Sequence, residues 1–133
     1  MFRIKFCREI TLKLLYQIDV LKLEATEVEK TAEINSIFLK GLREEEIDFI
    51  MKIINQVVTD RQAIDESISN NLIGWKLERL TPIDRNLLRM GIAESHFNSQ
   101  RAIIIDDHIR IAKKFSEKDS YKIINAILDK IIK

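Results

Sequence analysis

The residues able to do chemistry are few. The chain has two histidines, His96 and His108, and one cysteine, Cys7. The histidines fall on different predicted helices, so they share no face. There is no Gly-rich phosphate loop, no C-x-x-C and no H-E-x-x-H. His108 sits on an apolar helical face, where a satisfied core histidine is a commoner outcome than a metal ligand. Asp106 and Asp107 are adjacent on a predicted helix and point apart, so they do not share an ion. Glu94 lies at the centre of the stripe made by Ile83, Leu87, Met90 and Gly91. A carboxylate there is either an acid/base group of raised pKa or the buried partner of an arginine. The second reading is favoured, with Arg79 or Arg85 as the expected partner, because no nucleophile or cofactor motif lies nearby. Metal sites, cofactors and catalysis are therefore not expected.

What remains is binding. In the first predicted helix, Lys5, Arg8, Leu12 and Tyr16 follow spacings of three and four and should stack along one flank. Cations can neutralise phosphates, and a tyrosine ring can stack on an unpaired base. The alternative is a solvated face that happens to carry Lys5 and Arg8. A second basic cluster, Lys113, Lys114, Lys118 and Lys122, falls near the junction of the last two helices. If that junction packs beside the first helix, the two clusters form one strip. The net charge is only +1, so any basic patch has to be local.

The elements that position these residues are helices. Gly (3) and Pro (1) are scarce in 133 residues, and Ile and Leu alternate with Lys, Glu and Arg, which favours helices over strands. The apolar periods predict helices over about 4–21, 29–40, 44–70, 82–97, 101–115 and 119–132. Thr81-Pro82 reads as an N-cap followed by Pro at the first helical position, with Asp84 in the first turn. The stretch from Trp75 to Arg89 is thus a pivot between two lobes, approximately 1–74 and 75–133, of one domain. The single cysteine excludes an internal disulfide and fits a reducing cytoplasm. No stretch approaches the roughly 20 apolar residues of a membrane span.

Four segments carry a family likeness: REITLKLLYQIDV (8–20), WKLERLTPIDRNLLRMGIAE (75–94), IDDHIRIAKKF (105–115) and DSYKIINAILDKI (119–131). In order and spacing the chain resembles NusB, the bacterial transcription antitermination factor family. The likeness implies an all-α fold of two three-helix bundles packed at a large angle. It also implies a non-enzymatic protein that binds boxA RNA of ribosomal RNA operons. The implied partners are a small-subunit ribosomal protein acting as NusE, other Nus factors and RNA polymerase, with self-association through the RNA-facing surface.

The resemblance implies RNA-binding roles for Arg3, Lys5 and Arg8 at the start of the first helix, for Tyr16, and for Phe115, Asp119 and Lys122 at the last junction. It implies NusE-facing roles for Glu78 and Asp84, where acidic groups suit a basic partner. The chain departs from the family at Ile123, where Phe is frequent, at Asp107 in place of Glu, at Gln100 in place of Pro, and at Ala126, where Gly is common and a looser helix approach is expected. With two or three phosphate contacts, at a salt slope near −0.7 each, RNA binding alone is expected to be weak and salt-sensitive. Charge reversal at Lys5 or Arg8 should then weaken it without unfolding the protein. Two other classes stay open. One is a helical scaffold that meets only proteins. The other is a detached module of a ribosomal RNA methyltransferase, which the end of the chain at Lys133 is expected to disfavour.

Overall fold

The computed structural model describes residues 2–24, 27 and 39–133. Among them are six α-helices: α1 (Ile4–Val20), α2 (Glu44–Thr59), α3 (Arg61–Asn70), α4 (Pro82–Ser95), α5 (Arg101–Phe115) and α6 (Ser120–Ile131). The helix expected over 29–40 lies almost wholly outside the described residues. No described helix is long and apolar enough to cross a membrane.

The helix expected over 44–70 is two helices, broken at Asp60. The β-branched run Val57-Val58-Thr59 is a poor helix former, and the Asp60 that follows makes no side-chain cap but accepts from the Gln56 side-chain amide. One residue leaves the helical path while the backbone bonds continue on either side, from Asp60 N to Gln56 O and from Ile64 N to Asp60 O. The apolar period survives, and Ile64 and Ile68 stay buried. Pro82 starts α4 as expected, with the Thr81 hydroxyl accepting from Asp84 N at 3.1 Å.

α1 packs against α2 on one side and α4 on the other. Its buried set includes Cys7, Ile10, Leu14, Leu15 and Ile18, and extends to Arg8 and Leu12. The buried arc therefore wraps more than half of the helix, at 100° per residue. In the second half, α4 lies against α5 and α6. Gly91 on α4 is the close approach: a Cβ there would lie 3.1–3.2 Å from the Leu128 methyls of α6. Ala126, expected at a helix approach, is exposed instead and lines a groove beside the pivot.

Two charged hubs tie the helices together, and the first of them joins the halves. Asp19, near the end of α1, accepts from Arg85 at 2.6 and 3.0 Å, Asn86 at 2.8 Å and Arg89 at 3.1 Å. Arg89 also reaches Asp65 of α3 at 2.8 and 3.0 Å. Burial alone would raise the Asp19 carboxyl, but Arg85, Asn86 and Arg89 hold it below its ordinary value. The I-D-R-N-L-L-R part of the pivot motif thus serves architecture. The second hub is Glu46 on α2, which is fully buried. It accepts from the backbone N–H of Arg43 and Arg3, and from the Arg3 guanidinium at 3.1 Å. The Arg3 side chain and those backbone N–H groups bring its carboxyl down to about 2. Cys7 beside it is pushed up to about 11 by burial and by the Glu46 charge, which leaves the thiol inert.

Candidate nucleic-acid interface

The solvent-facing side of α1 carries Lys5, Phe6, Lys13 and Tyr16. The chain reverses after α5 at Ser116, and that junction packs beside α1. The contact is tied by Glu9, which accepts from Lys114 Nζ at 2.8 Å and Arg110 at 2.9 Å. Burial opposes the charge on Glu9, yet Lys114 and Arg110 keep its carboxyl below the ordinary range. The α5–α6 junction, with its lysines, therefore packs beside α1 as the sequence condition required, but it meets Glu9 of that helix.

An open groove of about 330 Å³ is lined by Leu12, Lys13, Tyr16 and Gln17 of α1, Ile83 of α4 and Phe115 of α5. Its lining is mostly apolar, with aromatic rings at Tyr16, which is 40 % exposed, and at Phe115. Lys13 Nζ sits 5.7 Å and Lys114 Nζ 5.2 Å from the Phe115 ring centroid, and Lys113 Nζ 4.6 Å from that of Tyr121. Ammonium groups over rings at an apolar groove offer stacking and charge together, the pairing that single-stranded nucleic acid requires. Asp119 and Lys122 are exposed at the start of α6 and pair with each other at 3.5 Å.

The start of α1 is arranged differently. Arg8, expected on the RNA-facing flank, is 1 % exposed. Its guanidinium donates to Glu94 at 2.8 and 2.6 Å and to Asp107 at 3.0 Å. It turns inward because the seam between α4 and α5 holds two carboxylates that need a counter-charge. Arg8 is thus a core residue, and the expected flank is split: Arg8 and Leu12 are buried while Lys5 and Tyr16 are exposed. Arg8 is also the arginine that pairs with Glu94, in place of the expected Arg79 or Arg85. Arg3 keeps a half-exposed side chain but is engaged with Glu46, and Lys5 is exposed beside a depression that also contains Asp106, Asp107 and Arg110.

Asp107 accepts from Arg8 and, at 2.5 Å, from Arg110. Burial works against its charge, and the two arginines hold its carboxyl below the usual value. His108 is wholly buried with Nδ1 2.7 Å from Ile104 O, so this nitrogen carries the proton and donates. Its Nε2 has no hydrogen-bond partner among the described residues. The expected satisfied core histidine is therefore half satisfied.

Of the two residues expected to face NusE, Glu78 is exposed on a short 3-10 turn, Leu77–Arg79. Asp84 is 5 % exposed and accepts from Ser116 Oγ at 2.5 Å. It braces the α5–α6 junction against α4, so its carboxylate is not offered to a partner. Lys13 and Tyr121 escaped the sequence reading. The i, i+3 spacing of Lys13 and Tyr16 is the signal that places both on one face.

The NusB family model matches residues 7–133. This chain belongs to the NusB family. It is 33 % identical over 130 residues to the transcription antitermination protein NusB of Clostridium novyi (strain NT), covering 95 % of each chain. It is 27 % identical to the T. maritima NusB structure, with a TM-score of 0.80 over 96 % of this chain and 89 % of that one. A chain in the structure of antitermination factors NusB and NusE in complex with dsRNA matches in fold, with a TM-score of 0.82 at 24 % identity over 99 % of this chain and 98 % of that one. The all-helical fold is thus the NusB fold. The pivot motif that suggested the family is built into it as the Asp19–Arg85–Arg89 clasp.

Proposed function

We propose that this protein acts in transcription antitermination by binding, without catalysis. In this reading it takes boxA-type RNA of ribosomal RNA operons together with the small-subunit ribosomal protein that serves as NusE. The pair then joins other Nus factors on RNA polymerase in the cytoplasm. Residues 1–133 act as one domain, the halves held by α1. The observation that carries the reading is the Tyr16–Phe115 groove, with Lys13 in its lining and Lys13 and Lys114 over the Phe115 ring. Phe115, Asp119 and Lys122 border the RNA on one side and Tyr16 on the other. Lys5 and Arg3 contribute at the edge, and Glu78 faces the basic protein partner. The groups that could have served as acids or bases, Glu94, Asp107 and His108, are inside the core, the two carboxylates being held in ion pairs.

The test is fluorescence anisotropy of a labelled boxA-type RNA at fixed low salt, titrated with this chain in the presence and absence of its cognate NusE protein. Binding that is weak alone and tight and sequence-specific with the partner is expected. A folded protein that fails to bind RNA in either titration would overturn the RNA reading and leave a scaffold that meets only proteins.

A further inference from the structure

We propose that Trp75, on the turn joining the two halves, is a stacking platform for an unpaired RNA base. The RNA would then run from the Tyr16–Phe115 groove past the start of α6 to the pivot. The inference rests on the RNA-binding reading and adds a contact that neither the groove nor the start of α1 supplies.

Trp75 is the only tryptophan in the chain, and it is 56 % exposed. Its display is built into the turn. Gly74 takes φ +76°, a conformation that side chains disfavour, and so lets the chain reverse after α3. Leu77 and Leu80 then anchor the turn in the core. The indole is held out from a fixed backbone, which lowers the entropy lost when something stacks on it.

Beside it is a groove of about 200 Å³ whose other wall is α6, with Ile123, Ala126 and Lys130 among its lining. The exposed Lys76 follows the indole directly. Asp129, which would otherwise oppose a phosphate near Lys130, is paired with Arg101 at 2.5 Å. An open aromatic face among cations suits a nucleic acid strand better than it suits a basic protein.

The first turns of α6 lie between this groove and the Lys113–Tyr121 contact at the α5–α6 junction. At 100° per residue, Tyr121 and Ile123 lie on opposite flanks of α6, with Lys122 between them and exposed. Tyr121 faces Lys113 on the α5 side, and Ile123 lines the Trp75 groove. A strand crossing Lys122 therefore meets an aromatic ring on either side. Glu78, on the same turn, disfavours phosphates there, which fits a base on the indole more than a phosphate track.

Because Trp75 is the sole tryptophan, its emission reports on this turn alone. The full chain is titrated at low salt with single-stranded boxA-type RNA. Parallel titrations read Trp75 emission and the anisotropy of labelled RNA, and Trp75→Ala and Trp75→Phe are compared by anisotropy. The expected result is quenching with the midpoint of the anisotropy curve. Trp75→Ala should weaken binding about 5- to 150-fold, the loss of one base–aromatic stack, and Trp75→Phe should retain most of it. RNA binding with unchanged Trp75 emission overturns the platform and leaves the RNA reading standing. Quenching with wild-type affinity in Trp75→Ala overturns it too, since that is proximity without stacking. If Trp75→Ala binds RNA normally but loses NusE, the groove is a protein site and the inference is wrong. Failure of any RNA binding, both alone and with the NusE partner added, overturns both readings.

Discussion

The two ends of α1 carry similar side chains and use them in opposite ways. At its start, the cations Arg3 and Arg8 are engaged inside the molecule, one on Glu46 and one on Glu94 and Asp107. Towards its other end, Lys13 and Tyr16 stand at an open groove beside Phe115. The difference follows from what each end packs against. The start of α1 meets carboxylates that project from α2, α4 and α5, whereas the later part meets the apolar groove wall and the junction of α5 and α6. Whether a cation in a sequence ends inside the core or at the surface is decided by its neighbours in space.

The strongest way to break this contrast is to remove Arg8. Arg8→Ala leaves Glu94 and Asp107 buried without their shared counter-charge, a loss of about 3–5 kcal/mol. Arg8→Glu should not fold at all. Chemical denaturation reads this directly, and a variant with wild-type stability would mean that the buried lattice is dispensable. The charge reversal expected from sequence to spare the fold is therefore expected to destroy it, and Arg8 cannot be used to test RNA binding.

At the other end of α1 the loss should be of binding. Tyr16→Ala is expected to weaken RNA association by about 1–3 kcal/mol, one stacked base, while the denaturation midpoint moves little. Phe115→Ala should do the same with some loss of stability, because its ring is half-buried under Lys13 and Lys114. If Tyr16→Ala unfolds the chain, the groove is a packing feature.

The core around the start of α1 also has a pH signature. Burial depresses His108, opposed in part by the charge of Glu94 and assisted by Arg8. Below about pH 6.5 the unfolded chain takes up a proton that the folded chain refuses, so stability falls as pH drops, by up to about 1.4 kcal/mol per pH unit. The depressed carboxylates Glu46, Asp19 and Asp107 act lower. Their stabilisation is present above about pH 4 and is lost as pH falls toward their folded values. Denaturation at pH 7.5, 6.5 and 5.5 should show a slope in the wild type that is absent in His108→Leu. Equal slopes would mean that His108 titrates normally in the fold.

Local signals were readable in the chain, and distant ones were not. Thr81-Pro82 announces the start of α4, and the period of 101–115 gives α5 with its bounds, because caps and periodicity act within a few residues. The break at Asp60 hides because a single residue leaves the apolar period intact. Glu94 is legible as a buried acid that needs an arginine, yet its partner lies 86 residues away. Arg8 looks like a surface cation for the same reason: the carboxylates that draw it inward belong to other helices. The groove was half legible, through Tyr16, while Lys13 needed the helix face to be fixed by packing first.

The smallest effect is the one that divides the two ends most cleanly. For a single strand, each cation on a phosphate contributes about 0.7 to the slope of log K against log salt. Lys113→Gln removes a charge that sits over Tyr121 at the α5–α6 junction, so the slope should fall by about that amount. Lys5 is exposed at the start of α1, but it lies beside Asp106 and outside the lining of the Tyr16–Phe115 groove. Lys5→Gln should change the slope by less than Lys113→Gln. Equal changes would put both ends of α1 under the RNA, and the contrast between them would then concern the arginines alone.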